Sequence, residues 1–180
     1  NGAGKTTLLN HVLGAGSGLR FAVIENEFGD VGMDGALVKS GCAALFELND
    51  GCICCSVRDD LIEVFEALVP RIDEVDHVII ETTGLAEPEP VLRVFERPAI
   101  RASFSLNGVV TVVDAAHLES SLDDVSACQE QVAYADLLLL NKTDCASELQ
   151  LDALEAKLAS INPVASIHRV QHSKIELASF

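Results

Sequence analysis

"NGAGKTTLLNHVLGAG", residues 1–16, joins a glycine-rich turn to a segment of helical periodicity. Gly4, Lys5 and Thr6 match the close of the pattern G-x-x-x-x-G-K-[ST], which puts the first glycine of that pattern ahead of Asn1. Leu8, Leu9, Val12 and Leu13 follow at helical spacing, and Gly14 and Gly16 stop the helix. In such a loop Gly2 and Gly4 let the backbone wrap closely round phosphates, with Ala3 between them in the nucleotide-binding turn, and the charge is met by amide N–H groups at the helix start. Lys5 then reaches the β- and γ-phosphates, and the Thr6 hydroxyl is the ligand for Mg²⁺. The bland alternative is a glycine-rich turn before an ordinary helix. A phosphate loop is normally fed by a strand, so the chain is expected to lack its own first strand and the opening of the loop.

Downstream, apolar runs alternate with helical patterns. "LRFAVIEN" (19–26) is a strand delivering the acid- and glycine-rich loop "EFGDVGMDG" (27–35). Ser56 caps a helix over 57–69 with Val57, Leu61, Val64, Phe65 and Leu68 on one face, and Pro70 marks its end. "HVIIETTG" (77–84) and "GVVTVVDAAH" (108–117) are buried-type strands ending on Glu81 and Asp114. "ADLLLLNKTD" (135–144) repeats the plan, Ser147 opens a helix to about 160, and "VASIHRV" (164–170) is the last strand. Residues 86–107, with Pro88, Pro90 and Pro98, read as a long excursion. Near-continuous apolar strands alternating with helices predict an α/β fold with a mostly parallel sheet covered by helices on both faces. Ligands of such sheets bind beyond the carboxyl ends of the strands, where the polar motifs of this chain fall.

The 180 residues suit one domain, and 49% hydrophobic residues supply its core. With 28 acidic against 12 basic residues, the net charge of −16 repels a phosphate backbone, which argues against nucleic acid as a partner. No apolar run approaches the ~20 residues a spanning helix needs, so no membrane partner is expected. The first residues look like no targeting peptide, which suggests the cytoplasm, with an organelle address left open by the abrupt start. Six cysteines are too sparse for a disulfide scaffold, and clustered thiols then point to metal or redox work.

The remaining motifs specify a nucleotide. Glu81 stands where nucleotide hydrolases keep a carboxylate for the Mg²⁺ shell, often through water, and Gly84 could offer its N–H to the γ-phosphate. "NKTD" (141–144) ends a strand. Asp144 there can accept two hydrogen bonds from the guanine N1–H and amine, a donor pair adenine lacks. Asn141 would support the loop and N7, and the Lys142 stem would lie over the base. No residue strongly activates the attacking water, so slow intrinsic GTP hydrolysis is expected.

"NDGCICCSVRDD" (49–60) places Cys52, Cys54 and Cys55 within four positions. Thiolates favour Zn²⁺, but this spacing is tighter than that of closed structural zinc sites, and an open site suits transfer of the ion. Glu27, Cys42 and His117 are candidate fourth ligands. The competing readings are buried small hydrophobes and a redox pair with thiol pKa lowered by a helix start. Cys128 and Cys145 are expected to be packing residues, and His11, His77, His168 and His172 structural or surface residues.

The order "GAGKTTLLNHVL", "ENEFGDVGMDGALV", "ELNDGCICCSVRDDL", "VIIETTGLAEPEPV", "VVTVVDAAH" and "ADLLLLNKTD" closely resembles the CobW-like P-loop GTPases, over essentially all 180 residues. The resemblance implies that Gly4, Lys5, Thr6 and Thr7 form the phosphate and Mg²⁺ site. It implies a Walker B role for Glu81 and a guanine reader made of Asn141, Lys142 and Asp144. Cys52, Cys54 and Cys55 match the C-x-C-C metal motif of that family, and Glu27 lies in the segment resembling switch I. The implied function is a GTP-hydrolysing metallochaperone that carries zinc or cobalt to a client metalloprotein, with self-association left open. Rival readings are a GTPase of cofactor biosynthesis or metalloenzyme activation with redox-sensing cysteines, and a zinc-buffering module. Relative to that family, the chain is expected to lack the first strand and the smaller carboxyl-terminal domain, and so to bind GTP weakly as it stands.

Overall fold

The computed structural model describes residues 2–15, 18–25, 42–47, 56–82, 84, 86–117 and 126–176. They fall into two compact units, one built from residues within 1–11 and 107–180 and the other from residues within 12–106.

In the 12–106 unit, β1 (Phe21–Glu25) lies between β2 (Cys42–Glu47) and β3 (His77–Glu81), and both pairings are parallel. The reading from sequence placed no strand at 42–47. That stretch carries two alanines, poor strand formers, and its strand character comes from pairing with β1. β1 is the covered strand, with Ala22, Val23 and Ile24 fully buried. Helix α2 (Ser56–Leu68) lays Leu61, Ile62 and Phe65 into a core shared with Ile24, Val94 and Ile100. Phe65 meets Phe95 and Phe104 edge-on, at ring-centroid distances of 5.3 and 5.0 Å, the arrangement that ring quadrupoles favour. The α-helix stops at Leu68 and Pro70 lies in a following 3₁₀ segment, Val69–Glu74, as its missing N–H dictates.

The excursion at 86–107 holds two short helices, α3 (Pro88–Val94) and α4 (Pro98–Arg101), each with proline in its first turn, where fixed φ costs nothing. Arg20 closes the lower end of the sheet. Its guanidinium and backbone N–H both donate to the Asp76 carboxylate, at 2.9 and 2.8 Å, which holds that carboxyl down to about 2.

In the other unit, β5 (Leu137–Asn141) lies between β4 (Val110–Asp114) and β6 (Ser166–Arg169), again all parallel. Side chains alternate across a strand, and the four leucines of β5 divide accordingly. Leu138 and Leu140 pack with Val132 of α5 (Ser126–Ala133) and with Leu151, Leu154 and Leu158 of α6 (Glu148–Ile161). Leu137 and Leu139 face the other way, against Val170, Ile175 and Leu8 of α1 (Lys5–Ala15). Helices thus cover both faces of this sheet. Ser147 caps α6 with Gln150 in a reciprocal capping box. Asn162, 4% exposed, ties the end of α6 to the turn after α5. Its Nδ2 donates to the Val132, Ala133 and Ala135 carbonyls, and its Oδ1 accepts from the Val164 and Ala165 amides.

Candidate functional site

The glycine-rich turn folds as its motif requires. Gly2 (φ +83°) and Gly4 (φ +109°) lie in backbone conformations that L side chains rarely adopt, and the chain enters α1 at Lys5. The first turn of α1 carries no acidic residue, so the positive end of its dipole faces no competing carboxylate within the helix. Ala3, Gly4, Lys5 and Thr6 are half-buried, and Gly2 and Thr7 exposed.

Asn141, the last residue of β5 and 2% exposed, holds this turn directly. Its Nδ2 donates to the Ala3 carbonyl at 2.8 Å and to Ser173 Oγ at 3.0 Å, while its Oδ1 accepts from the Ser173 amide at 2.9 Å. The Ser173 hydroxyl donates in turn to the Gly4 carbonyl at 2.9 Å. Glycine at position 4 is therefore demanded twice. A Cβ there would stand 2.6 Å from Ser173 Oγ and closer still to Asn141 Nδ2, both buried groups with no room to retreat. His172 and Ser173 each have φ +52°, an uncommon conformation for non-glycine residues, and two in succession turn the chain back toward the glycine-rich turn. His11 of α1 anchors the same segment, its Nε2 lying 2.8 Å from the Ile175 carbonyl.

Beyond Asn141, Lys142 adopts the left-handed conformation (φ 62°, ψ 37°), and Thr143–Cys145 form a 3₁₀ turn that exposes Asp144. Lys142 Nζ lies 2.8 Å from Asp114 Oδ2, and Asp114 is the residue that pairs with Asn141 in the β4–β5 register. The same carboxylate accepts the Ala116 amide at 2.9 Å and lies 3.1 Å from His117 Nδ1. Burial alone would raise the Asp114 carboxyl. The hydrogen bonds from Lys142, His117 and Ala116 outweigh it and hold the group below the ordinary carboxylate range.

The residues expected to contact nucleotide from the loop and from "NKTD" thus belong to one unit and are joined by hydrogen bonds. The sequence motifs do not name Ser173 or Asp114 as members of the cluster, although Asp114 reads as a strand-end acid. Ser173 has no local signal, because its partners are remote in sequence. Glu81 and Gly84 belong to the other unit, where Glu81 ends β3 opposite Glu25 of β1, and Gly84 lies in the following turn.

Cys52, Cys54, Cys55 and Glu27 lie outside the described residues. Cys42 begins β2, with its backbone opposite Phe21. Among the described residues no group of three or more His, Cys, Asp or Glu is placed to hold a metal ion. Cys128 packs against the core as expected, whereas Cys145 is exposed, because the chain has left the strand and entered the turn that presents Asp144. Among the described residues no helix is long and apolar enough to cross a membrane.

The family model described as CobW/HypB/UreG, nucleotide-binding domain, matches residues 1–169. The zinc chaperone YjiA of Escherichia coli is 39% identical over 98% of this chain and 56% of its own length. The zinc chaperone CobW of Pseudomonas aeruginosa is likewise 39% identical, over 98% of this chain and 55% of its own. The crystal structure of Zn(II)-bound YjiA GTPase from E. coli superposes with a TM-score of 0.74 at 34% identity, over 99% of this chain and 57% of that one. The chain spans about half the length of the curated relatives it matches.

Proposed function

This chain belongs to the CobW/HypB/UreG family of nucleotide-binding domains, and we propose that it serves a GTP-hydrolysing metallochaperone, which takes up zinc or cobalt and passes it to a client metalloprotein. The supporting observation is the bond from Asn141 to the Ala3 carbonyl, which ties the base-reading turn to the phosphate loop. A protein that reads a guanine and grips its phosphates needs those two loops at a set separation, and a buried, fully bonded asparagine supplies it.

The left-handed glycines and the acid-free start of α1 fit a polyphosphate. Gly2, Ala3, Gly4 and Thr7 line the phosphates, Lys5 neutralises their charge and the Thr6 hydroxyl holds Mg²⁺. Mg²⁺, when bound with the nucleotide, offsets negative charge on the phosphate oxygens. Asp144, exposed in its turn, accepts the guanine N1–H and amine, and the Lys142 stem covers the base. On sequence grounds Glu81 acts on the Mg²⁺ shell through water and the Gly84 amide meets the γ-phosphate. Cys52, Cys54 and Cys55 carry the transferred ion, with Glu27 a candidate further ligand.

The test is metal analysis of the protein with Mg²⁺–GTP, with zinc, cobalt and nickel in competition, for the wild type, Cys54→Ser and Lys5→Ala. Loss of metal with GTP binding intact in Cys54→Ser supports the reading. Full metal content in Cys54→Ser, with thiols that oxidise reversibly, would instead identify a GTPase with redox-sensing cysteines. Zinc affinity identical with GTP and GDP would reduce the protein to a zinc buffer.

A further inference from the structure

Asp114 is a half-buried carboxylate that joins the turn at 114–117 to Lys142. It ends β4 in register with Asn141, and three groups converge on it: the Lys142 ammonium at 2.8 Å, the Ala116 amide at 2.9 Å and His117 Nδ1 at 3.1 Å. The Ala116 amide fixes one carboxylate oxygen, so the other presents a set position to Lys142. Lys142 needs such an anchor. It leaves the strand in the left-handed conformation, and a lysine stem has four rotatable bonds that would otherwise sample many rotamers. The ion pair draws the stem across the ends of β4 and β5, beside the turn that exposes Asp144.

We propose that Asp114 is a positioning residue for nucleotide binding, holding the Lys142 side chain in place before the base arrives so that its stem forms a ready surface for the purine. The proposal rests on the base-reading role given to "NKTD" above. Asp114 touches no nucleotide and acts through Lys142 alone. Immobilising one rotamer-rich side chain on binding costs about a factor of 2 to 12 in affinity, and this is the gain that a pre-set lysine conserves.

The test is a double-mutant cycle on GTP and GDP affinity, measured by calorimetry for the wild type, Asp114→Ala, Lys142→Ala and the double variant, with ATP as control and melting temperature recorded for each. Asp114→Ala is expected to weaken GTP and GDP binding about 2- to 12-fold. In the Lys142→Ala background it is expected to have no further effect. Asp114→Asn, which keeps an acceptor for the Ala116 amide, is the second variant if the alanine change unfolds the protein, and Asp114→Glu is expected to restore part of the affinity. Equal losses from Asp114→Ala in both backgrounds would overturn the proposal, as would unchanged affinity in a guanine-selective protein. A wild type that binds ATP as tightly as GTP would overturn the base-reading role itself, and this proposal with it.

Discussion

Replacing Ser173 by alanine removes a hydroxyl that is fully buried and makes two hydrogen bonds, donating to the Gly4 carbonyl at 2.9 Å and accepting from Asn141 Nδ2 at 3.0 Å. Neither partner is left wholly bare. The Gly4 carbonyl keeps the Leu8 amide, and Asn141 Nδ2 keeps the Ala3 carbonyl. Each lost bond therefore counts at its net value of roughly 0.5–1.5 kcal/mol rather than as an orphaned group, and the expected destabilisation is about 1–3 kcal/mol. Backbone strain gives a second handle. At φ +52° alanine inherits the left-handed penalty of ~1–2 kcal/mol, whereas glycine escapes it and gives back about 0.5–1 kcal/mol in chain entropy. Ser173→Gly should thus match Ser173→Ala or exceed it in stability by up to about 1.5 kcal/mol, although both lack the hydroxyl. Urea unfolding of the three proteins tests this order. An alanine variant within ~0.3 kcal/mol of the wild type would refute the clasp, and one more stable than the glycine variant would refute the strain at position 173.

Gly2→Ala, with nothing within 4 Å of its new Cβ, should cost only the strain of positive φ, about 1–2 kcal/mol. Gly4→Ala must also displace Asn141 and Ser173, so a GTP titration should show far weaker binding than Gly2→Ala. Asn162→Ala strips hydrogen bonds from three carbonyls and two amides and should lower stability by at least about 2.5 kcal/mol in urea unfolding. Asp144→Asn should move preference from guanosine to xanthosine nucleotides in competition binding, because an amide offers one donor and one acceptor to xanthine's 2-oxo and N1–H edge. Asp76 is held at about 2 by its hydrogen bonds from Arg20, below its ordinary 3.8, so its stabilising effect is complete above that ordinary value and is lost as pH falls through about 2. Melting curves of Asp76→Asn should accordingly be flatter than the wild type between pH 4 and pH 2. The pair is partly exposed, and the effect is correspondingly small.

Much of the local structure of the candidate site is legible in the sequence alone. A glycine that cannot carry a Cβ, a lysine and a threonine opening an apolar-periodic helix are local signals, because phosphate binding uses contiguous backbone amides. The same holds for "NKTD", whose context of four leucines identified a covered strand, and for Ser147, whose cap needs only the residues of its own first turn. Ser173 and the link between Asp114 and Lys142 were not legible, and neither was β2. A serine after a strand and an aspartate at a strand end have no period or spacing that names their partners. A run with two alanines becomes a strand only because β1 presents an edge to it.

The sequence by itself determined where the strands Phe21–Glu25, His77–Glu81, Val110–Asp114, Leu137–Asn141 and Ser166–Arg169 run, which residues stand at their carboxyl ends and what chemistry those residues carry. These follow from periodicity, capping and side-chain functional groups, all local quantities. Tertiary structure alone decided that Ala3, Gly4, Asn141 and Ser173 form one hydrogen-bonded clasp and that Lys142 is held by Asp114. The physical reason is that a buried polar group must find a partner, and which partner it finds depends on where distant loops meet rather than on any pattern within either loop.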